Sequence, residues 1–167
     1  PTAQVLLAMN DSRGGAFFAD PRQVLRHAMQ PLQEMGLTAV CATELEFYLI
    51  DAGTEVPTPR VGNVPGMRRT QTGIQYGCME DVENADPFLT DLFATCRAQN
   101  IPAGATLKEF SPGQFEINLH HVPNAELAAD HGVLLKRAVK AVARKHGMAA
   151  SFMAKPYLER AGSGMHV

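Results

Sequence analysis

Four glutamates in two short segments of this 167-residue chain have the residue type and spacing that could bind metal ions. Glu44 and Glu46 are two positions apart in an apolar run, and Glu109 and Glu116 flank the dipeptide Pro112-Gly113. Carboxylate oxygens are the ligands that hard cations such as Mg²⁺ prefer, and carboxylates held together without a cation repel one another. These glutamates are therefore candidate metal ligands, although each segment taken alone also fits an ordinary solvated acidic surface.

The run that contains Glu44 and Glu46 is predicted to be a strand from Thr38 to Asp51, because it is rich in Val, Leu, Phe and Tyr. Side chains alternate between the two faces of a strand, so the alternate apolar residues from Leu45 to Leu49 would be buried on one face. Glu44 and Glu46 would then share the other face, roughly 6 to 7 Å apart.

Pro112-Gly113 predicts a tight turn, since proline pre-sets φ and glycine accepts a positive φ. The segment from Lys108 to Asn118 is therefore predicted to be a hairpin, and a two-residue loop would place Glu109 directly opposite Glu116. A longer loop would shift this register, because two-residue hairpins prefer primed turns. Directly opposed carboxylates destabilise a sheet unless a proton or a cation neutralises them.

The composition is typical of a globular enzyme domain, with 46% hydrophobic residues and a net charge of −2. We therefore expect neither a nucleic-acid surface nor a membrane surface. The three cysteines are widely spaced, which favours neither a disulfide framework nor a zinc site and is consistent with a cytoplasmic location. The chain stops in the apolar Met165-His166-Val167, which predicts that it is one part of a larger domain.

Three helices are predicted. Asp20-Pro21 indicates an N-cap followed by proline, Gly36 would end that helix, and Pro31 should kink or split it. Asp86-Pro87 repeats the start signal, and a third helix should run from Asn124 to His146. The residues of the third helix that we expect to face inward are Leu127, Val133, Leu134, Ala138, Val142 and Ala143.

Further strands are predicted at Gln4 to Met9 and at Met148 to Met153, and a long loop from Ala52 to about Gly77. Three arginines of that loop, Arg60, Arg68 and Arg69, are candidate contacts for an anion. This order of elements predicts a mixed α+β fold.

Three segments together resemble a known family. They are similar, in chain order, to the signature segments of the glutamine synthetase family. The first is Glu44-Leu45-Glu46-Phe47, the second runs from Ser111 to Glu116, and the third runs from Phe152 to Pro156 and leads to Gly162 to His166. The resemblance covers essentially the whole chain. It implies a largely antiparallel curved sheet with flanking helices, in which residues 1–167 are the N-terminal part of a catalytic domain. A small domain would precede them and the rest of the catalytic domain would follow.

The same resemblance implies two or more Mg²⁺ or Mn²⁺ ions per site and ATP as a co-substrate. The equivalents of Glu46, Glu109 and Glu116 hold one cation in that family. Those of Glu44 and His166 hold a second, with a further glutamate supplied from beyond the end of this chain. The implied reaction forms γ-glutamyl phosphate, which an amine then attacks.

The implied substrate-binding residues are Gly162 and Gly164, where the backbone would approach the bound amino acid, and Tyr76. His120 and His121 should lie on opposite faces of their strand, so that at most one of them approaches the site.

Within the family, the chain is most similar to the γ-glutamylpolyamine (γ-glutamylputrescine) synthetase branch. Ala161 stands where members that use ammonia have an asparagine that contacts glutamate. The resemblance thus implies a ligase for glutamate and putrescine or another polyamine, in a homo-oligomer built as a double ring. Two alternatives stay open: a glutamine synthetase that uses ammonia, and a structural protein that keeps the fold without catalysis. We expect the 167-residue segment alone to be inactive.

Overall fold

A computed structural model describes residues 3–51, 53, 58–59 and 76–167 of the chain. The helices are α1 (Pro21–Glu34), α2 (Met79–Asn84), α3 (Asp86–Ala98) and α4 (Ala125–Lys145). The strands are β1 (Glu44–Asp51), β2 (Thr58–Pro59), β3 (Ala103–Lys108), β4 (Gln114–Leu119), β5 (Met148–Ser151) and β6 (Met165–His166). Most of the predicted long loop lies outside the described residues, and so do Arg60, Arg68 and Arg69.

The strands form one open antiparallel sheet around β1. β4 pairs with the first five residues of β1, and β3 pairs with the other edge of β4. β6 and β5 pair with β1 along the edge opposite β4, so β1 has neighbours on both sides. This arrangement confirms the predicted α+β fold with a largely antiparallel sheet.

One face of the sheet is buried against α3 and α4. Leu45, Phe47 and Leu49 of β1 belong to a single core cluster with apolar side chains of these two helices, among them Leu92 and Leu135. The alternate residues of β1 and β4 therefore point to the opposite face, which is where the acidic residues lie. Burial of the apolar face thus fixes the direction of the carboxylates.

The start and end of α1 agree with the sequence signals. The Asp20 carboxylate accepts a hydrogen bond from Gln23 N, and Gly36 adopts a φ of +71° just after the helix. We expected Pro31 to kink or split the helix; it lies within one uninterrupted helix, so the split does not occur. No residue of α1 is buried, and Val24 is 52% exposed, so the apolar stripe of this helix is open in the described part of the chain.

The buried face of the long helix α4 agrees with the prediction at Leu134, Ala138, Val142 and Ala143 but not at Leu127 and Val133. Asn124 caps it by accepting a hydrogen bond from Leu127 N. Leu127 and Val133 are exposed, at 43% and 49%. The buried residues follow a regular i, i+3, i+4 pattern that leaves these two off the packed stripe. They are Ala128, His131, Gly132, Leu135, Ala138, Val139, Val142 and Ala143.

Several boundaries also differ from the predictions. The segment from Gln4 to Met9 forms no strand, and its Met9 N–H donates to the Asp20 carboxylate instead. The central strand begins at Glu44 rather than at Thr38, because the residues before it make only an isolated bridge. Asp86 is the first residue of α3 and not its cap, and the short helix α2 before it was not predicted. Among the described residues, no helix combines the length and apolar character needed to cross a bilayer.

Candidate metal centre

The turn at Pro112-Gly113 is present, but the strands on either side of it pair in a different register from the predicted one. Gln114 N donates to Ser111 O at 3.0 Å, which closes the turn, and Gly113 has a φ of +72°. The ladder then resumes with Lys108 opposite Phe115, so Glu109 does not pair with Glu116. The partner of Glu116 in β3 is Leu107. Glu109 N instead donates to Gln114 O at 3.0 Å, so the pairing is shifted by two residues from the predicted one and residues 110–113 form a four-residue hairpin loop.

The directly opposed carboxylates belong instead to β1 and β4. Glu46 pairs with Glu116, and Glu44 pairs with Asn118. Glu44 and Glu46 lie on the face away from the core, as predicted, while the residues between and after them are buried. Glu109 lies two residues after Leu107, the partner of Glu116, so alternation places it on this face too, where its side chain is almost completely buried. The repulsion anticipated between Glu109 and Glu116 therefore exists, although these two are not paired in the sheet, and Glu46 directly opposite Glu116 adds to it.

The carboxylates form two groups that share one member. Potential ligand atoms of Glu46, Glu109 and Glu116 all lie within 4.8 Å of one another. Those of Glu44, Glu116 and His166 meet the same limit. Glu116 thus lies between two candidate cation positions, which the sequence did not indicate.

His166 reaches the second group through β6. It pairs with Glu44 in the sheet, and its Nδ1 lies 3.2 Å from Oε2 of Glu44. The strand is only two residues long, but backbone hydrogen bonding places the imidazole beside the acidic face. His120 and His121 are both exposed and belong to neither group of ligands.

The electrostatics of the two groups fit a bound cation. Burial, together with the nearby charge of Glu46, raises the pKa of Glu109. Burial raises the pKa of Glu116 too, with further contributions from Glu44, Glu109 and Glu46. A divalent cation would offset both the loss of hydration and the mutual repulsion. Carboxylate oxygens with one imidazole nitrogen suit Mg²⁺ or Mn²⁺.

Two buried polar residues that sequence reasoning did not single out support the site. The Lys108 ammonium is 1% exposed, and it donates to the backbone carbonyls of Glu109 and Ser111 at 2.6 and 2.7 Å. It therefore links the end of β3 to the hairpin loop. Gln114 is fully buried and donates to the Glu46 carboxylate at 2.9 Å. Its position two residues before Glu116 was the available signal, because alternation along a strand places both on one face.

The two candidate substrate-binding glycines have steric roles within the chain itself. A Cβ atom on Gly164 would lie 2.7 Å from Oε1 of Glu46, so a larger residue would displace that carboxylate. A Cβ atom on Gly162 would lie 2.8 Å from the Ala154 carbonyl oxygen. Tyr76 is 54% exposed, and its ring packs on Phe110 in the hairpin loop at 5.1 Å between centroids. Tyr76 therefore adjoins the loop that follows Glu109.

The sequence-family model described as glutamine synthetase, catalytic domain, matches residues 18–167. The chain belongs to the glutamine synthetase family. The family predicted from the three motifs is thus confirmed, and the antiparallel sheet described above is part of the catalytic-domain fold of glutamine synthetases. The two groups of carboxylates lie in the region that this match covers.

Among curated glutamine synthetase relatives, gamma-glutamylputrescine synthetase PuuA of Escherichia coli (strain K12) is 42% identical over 98% of the chain and 35% of its own length. Glutamate–isopropylamine ligase of a Pseudomonas species is 32% identical over 99% of the chain and 36% of its own length. A glutamine synthetase of Halobacterium salinarum is 30% identical over 99% of the chain and 34% of its own length. The first identity agrees with the branch that the motifs indicate.

A solved glutamine synthetase of Plasmodium falciparum superposes with a TM-score of 0.79 over 94% of this chain and 35% of that one, at 20% identity. At this level of identity the likeness concerns the fold. The chain spans about a third of the length of the curated relatives that it matches.

Proposed function

We propose that the full-length protein is an ATP-dependent ligase that joins the γ-carboxyl group of glutamate to an amine, with putrescine or another polyamine as the amine. The observation that carries this proposal is the pair of ligand groups that share Glu116. Five side chains meet there, four from three strands and that of Glu109 directly after β3, although several of them repel one another. An arrangement of this kind costs stability unless cations complete it.

In the proposed site, Glu46, Glu109 and Glu116 hold one divalent cation, and Glu44, Glu116 and His166 contribute to a second. Bound Mg²⁺ or Mn²⁺ supplies charge neutralisation and orientation for the phosphates of ATP. The residues of this chain supply the fixed oxygen and nitrogen donors. Sheet pairing determines the spacing of these donors, so little rearrangement is needed when the cations enter.

The reaction proposed for the whole protein has two steps. A γ-carboxylate oxygen of glutamate attacks the terminal phosphorus of ATP, and ADP leaves, which gives γ-glutamyl phosphate. The amine nitrogen then attacks the activated carbonyl carbon, loses a proton, and displaces phosphate to leave an amide. In this proposal the backbone at Gly162 and Gly164 borders the bound amino acid, and Tyr76 lies at the edge of that site.

The choice of a polyamine rests on the relative named for γ-glutamylputrescine synthesis and on Ala161. A second relative is named for another alkylamine, isopropylamine. We further propose that residues 1–167 form the N-terminal part of the catalytic domain and that the full-length protein is a homo-oligomer. In that case the chain described above would not turn over alone.

The test measures phosphate release by the full-length protein with glutamate, ATP and Mg²⁺, and with ammonia, isopropylamine or putrescine in turn. We expect putrescine to give the highest kcat/KM, and Glu116→Gln to abolish release with every amine. Preference for ammonia would identify a glutamine synthetase instead. No release with any amine would favour the non-catalytic alternative and refute the ligase proposal.

A further inference from the structure

Gln114 connects the candidate cation site to the segment that ends the chain. It is the first residue of β4, directly after the Pro112-Gly113 turn, and it pairs with Tyr48 of β1. Its side chain is fully buried, on the same face as Glu116. A buried amide needs partners for its donors and its acceptor, and these partners define what Gln114 does.

The partners lie in three different segments. Nε2 of Gln114 donates to Oε2 of Glu46 at 2.9 Å and to the Gly162 carbonyl oxygen at 2.8 Å. Oε1 accepts from Ser111 N at 3.2 Å. Reversing the amide would bring an oxygen against two acceptors and an amino group against a donor, so the orientation of Gln114 is fixed by its surroundings.

Glu46 is held on its other side by residues 161–164, the segment near the end of the chain that also contains Gly162 and is called the end segment below. The Glu46 backbone N–H donates to the Gly164 carbonyl oxygen at 3.1 Å, and Oε1 of Glu46 occupies the space that a Cβ on Gly164 would need. One carboxylate oxygen is thus bound by Gln114 and the other abuts Gly164. Because the rotamer of Glu46 is set from both sides, a movement of the end segment would change the position of a metal ligand.

The end segment has two more contacts with the same face. The Tyr48 hydroxyl donates to the Ala161 carbonyl oxygen at 2.6 Å, and Ala161 N donates to Oγ of Ser111 at 2.9 Å. Residues 161–164 are therefore bound at both ends of a short run, and Gln114 contacts them in the middle. Among these contacts, only the Gln114 amide touches both a metal-ligand carboxylate and the backbone at Gly162.

From this geometry we propose that Gln114 is a positioning residue that couples the cation at Glu46 to the amino-acid site beside Gly162. The proposal rests on the function proposed above. Gln114 is not a cation ligand in this orientation, because its oxygen accepts from Ser111 N and the amino group faces Glu46 and Gly162. It acts through Glu46. Residues that orient metal ligands in this way typically change metal affinity about 10- to 100-fold when they are replaced.

The experiment measures Mn²⁺ affinity of the full-length protein by calorimetry, without ATP or an amine. Gln114→Met keeps the length of the side chain but removes both donors, and we expect it to weaken Mn²⁺ binding at least tenfold. The KM for L-glutamate should also rise. Gln114→Asn keeps the amide on a side chain one methylene shorter, so it should bind Mn²⁺ more tightly than Gln114→Met does. It also serves as the test variant if Gln114→Met does not fold.

The matched control is Val139→Ala in α4. Val139 is fully buried in the core on the other face of the sheet, so this variant should lower Tm and leave Mn²⁺ affinity unchanged. The positioning role is refuted if both Gln114 variants bind Mn²⁺ within twofold of the wild type, or if Val139→Ala weakens binding as much as they do. If the wild-type protein binds Mn²⁺ but shows no turnover, the ligase proposal is refuted. The Mn²⁺ affinities of the Gln114 variants then still decide whether Gln114 positions Glu46. A wild type without Mn²⁺ affinity refutes both.

Discussion

Replacing Glu116 with glutamine should have opposite effects on metal binding and on the stability of the metal-free protein. Glu116 is 6% exposed and is the member that the two ligand groups share. Two unit charges 4.8 Å apart repel by about 0.9 kcal/mol in bulk water and by about 3.5 kcal/mol at an effective dielectric constant of 20. The raised pKa of Glu116 shows that its neighbours and its burial already oppose ionisation.

Water screens part of this repulsion because the Glu44 side chain is 46% exposed, so we expect Glu116→Gln to stabilise the metal-free protein by about 1 kcal/mol. The corresponding rise in Tm is about 2 °C. Mn²⁺ binding should weaken at both positions, because each loses the same carboxylate. Thermal unfolding in EDTA and calorimetric titration with Mn²⁺ measure the two effects separately.

Glu126→Gln is the matched control for this prediction. Glu126 forms ion pairs with Arg22 and Arg26 at 2.7 and 2.6 Å, and hydrogen bonding to Arg26 lowers the pKa of its carboxyl group. Its replacement should lower the metal-free Tm slightly, since partly exposed ion pairs contribute up to about 1 kcal/mol, without any change in Mn²⁺ binding. The reasoning is refuted if Glu116→Gln lowers the metal-free Tm and leaves Mn²⁺ stoichiometry intact.

Three further outcomes follow from the same contacts. Gly164→Ala should weaken Mn²⁺ binding about tenfold by displacing the Glu46 carboxylate, and unchanged affinity in calorimetry would contradict the contact at 2.7 Å. Lys108→Met leaves two buried carbonyls without their donor, so urea unfolding should show a loss of about 3 kcal/mol, and a loss below 1 kcal/mol would count against this role. Because the folded-state pKa values of Glu109 and Glu116 are raised, the stability that they contribute to the metal-free protein is present below about pH 4.5 and is lost as pH rises through those values. Mn²⁺ affinity should increase over the same window as protons cease to compete, and titrations at several pH values that give a constant affinity would rule this out.

The sequence by itself determined the family, the α+β fold and the direction of the acidic face. Alternation along β1 was sufficient to place Glu44 and Glu46 opposite the core, because side chains that alternate with the buried Leu45, Phe47 and Leu49 must point to the other face of the strand. The cap at Asp20 and the start of the long helix at Asn124 were also predicted, since local hydrogen bonds form both within a few residues.

The tertiary structure decided the parts that depend on contacts distant in sequence. One such part is the register of the β3–β4 hairpin, where the buried Lys108 ammonium binds carbonyl groups at the loop and also lies 4.0 Å from the Asp81 carboxylate of α2. The buried face of α4 was set by packing on the sheet, which left Leu127 and Val133 exposed. The sharing of Glu116 likewise required the pairing of β1 with β4 and of β6 with β1, because strand pairing alone brings carboxylates and an imidazole from remote positions within reach of the same ions.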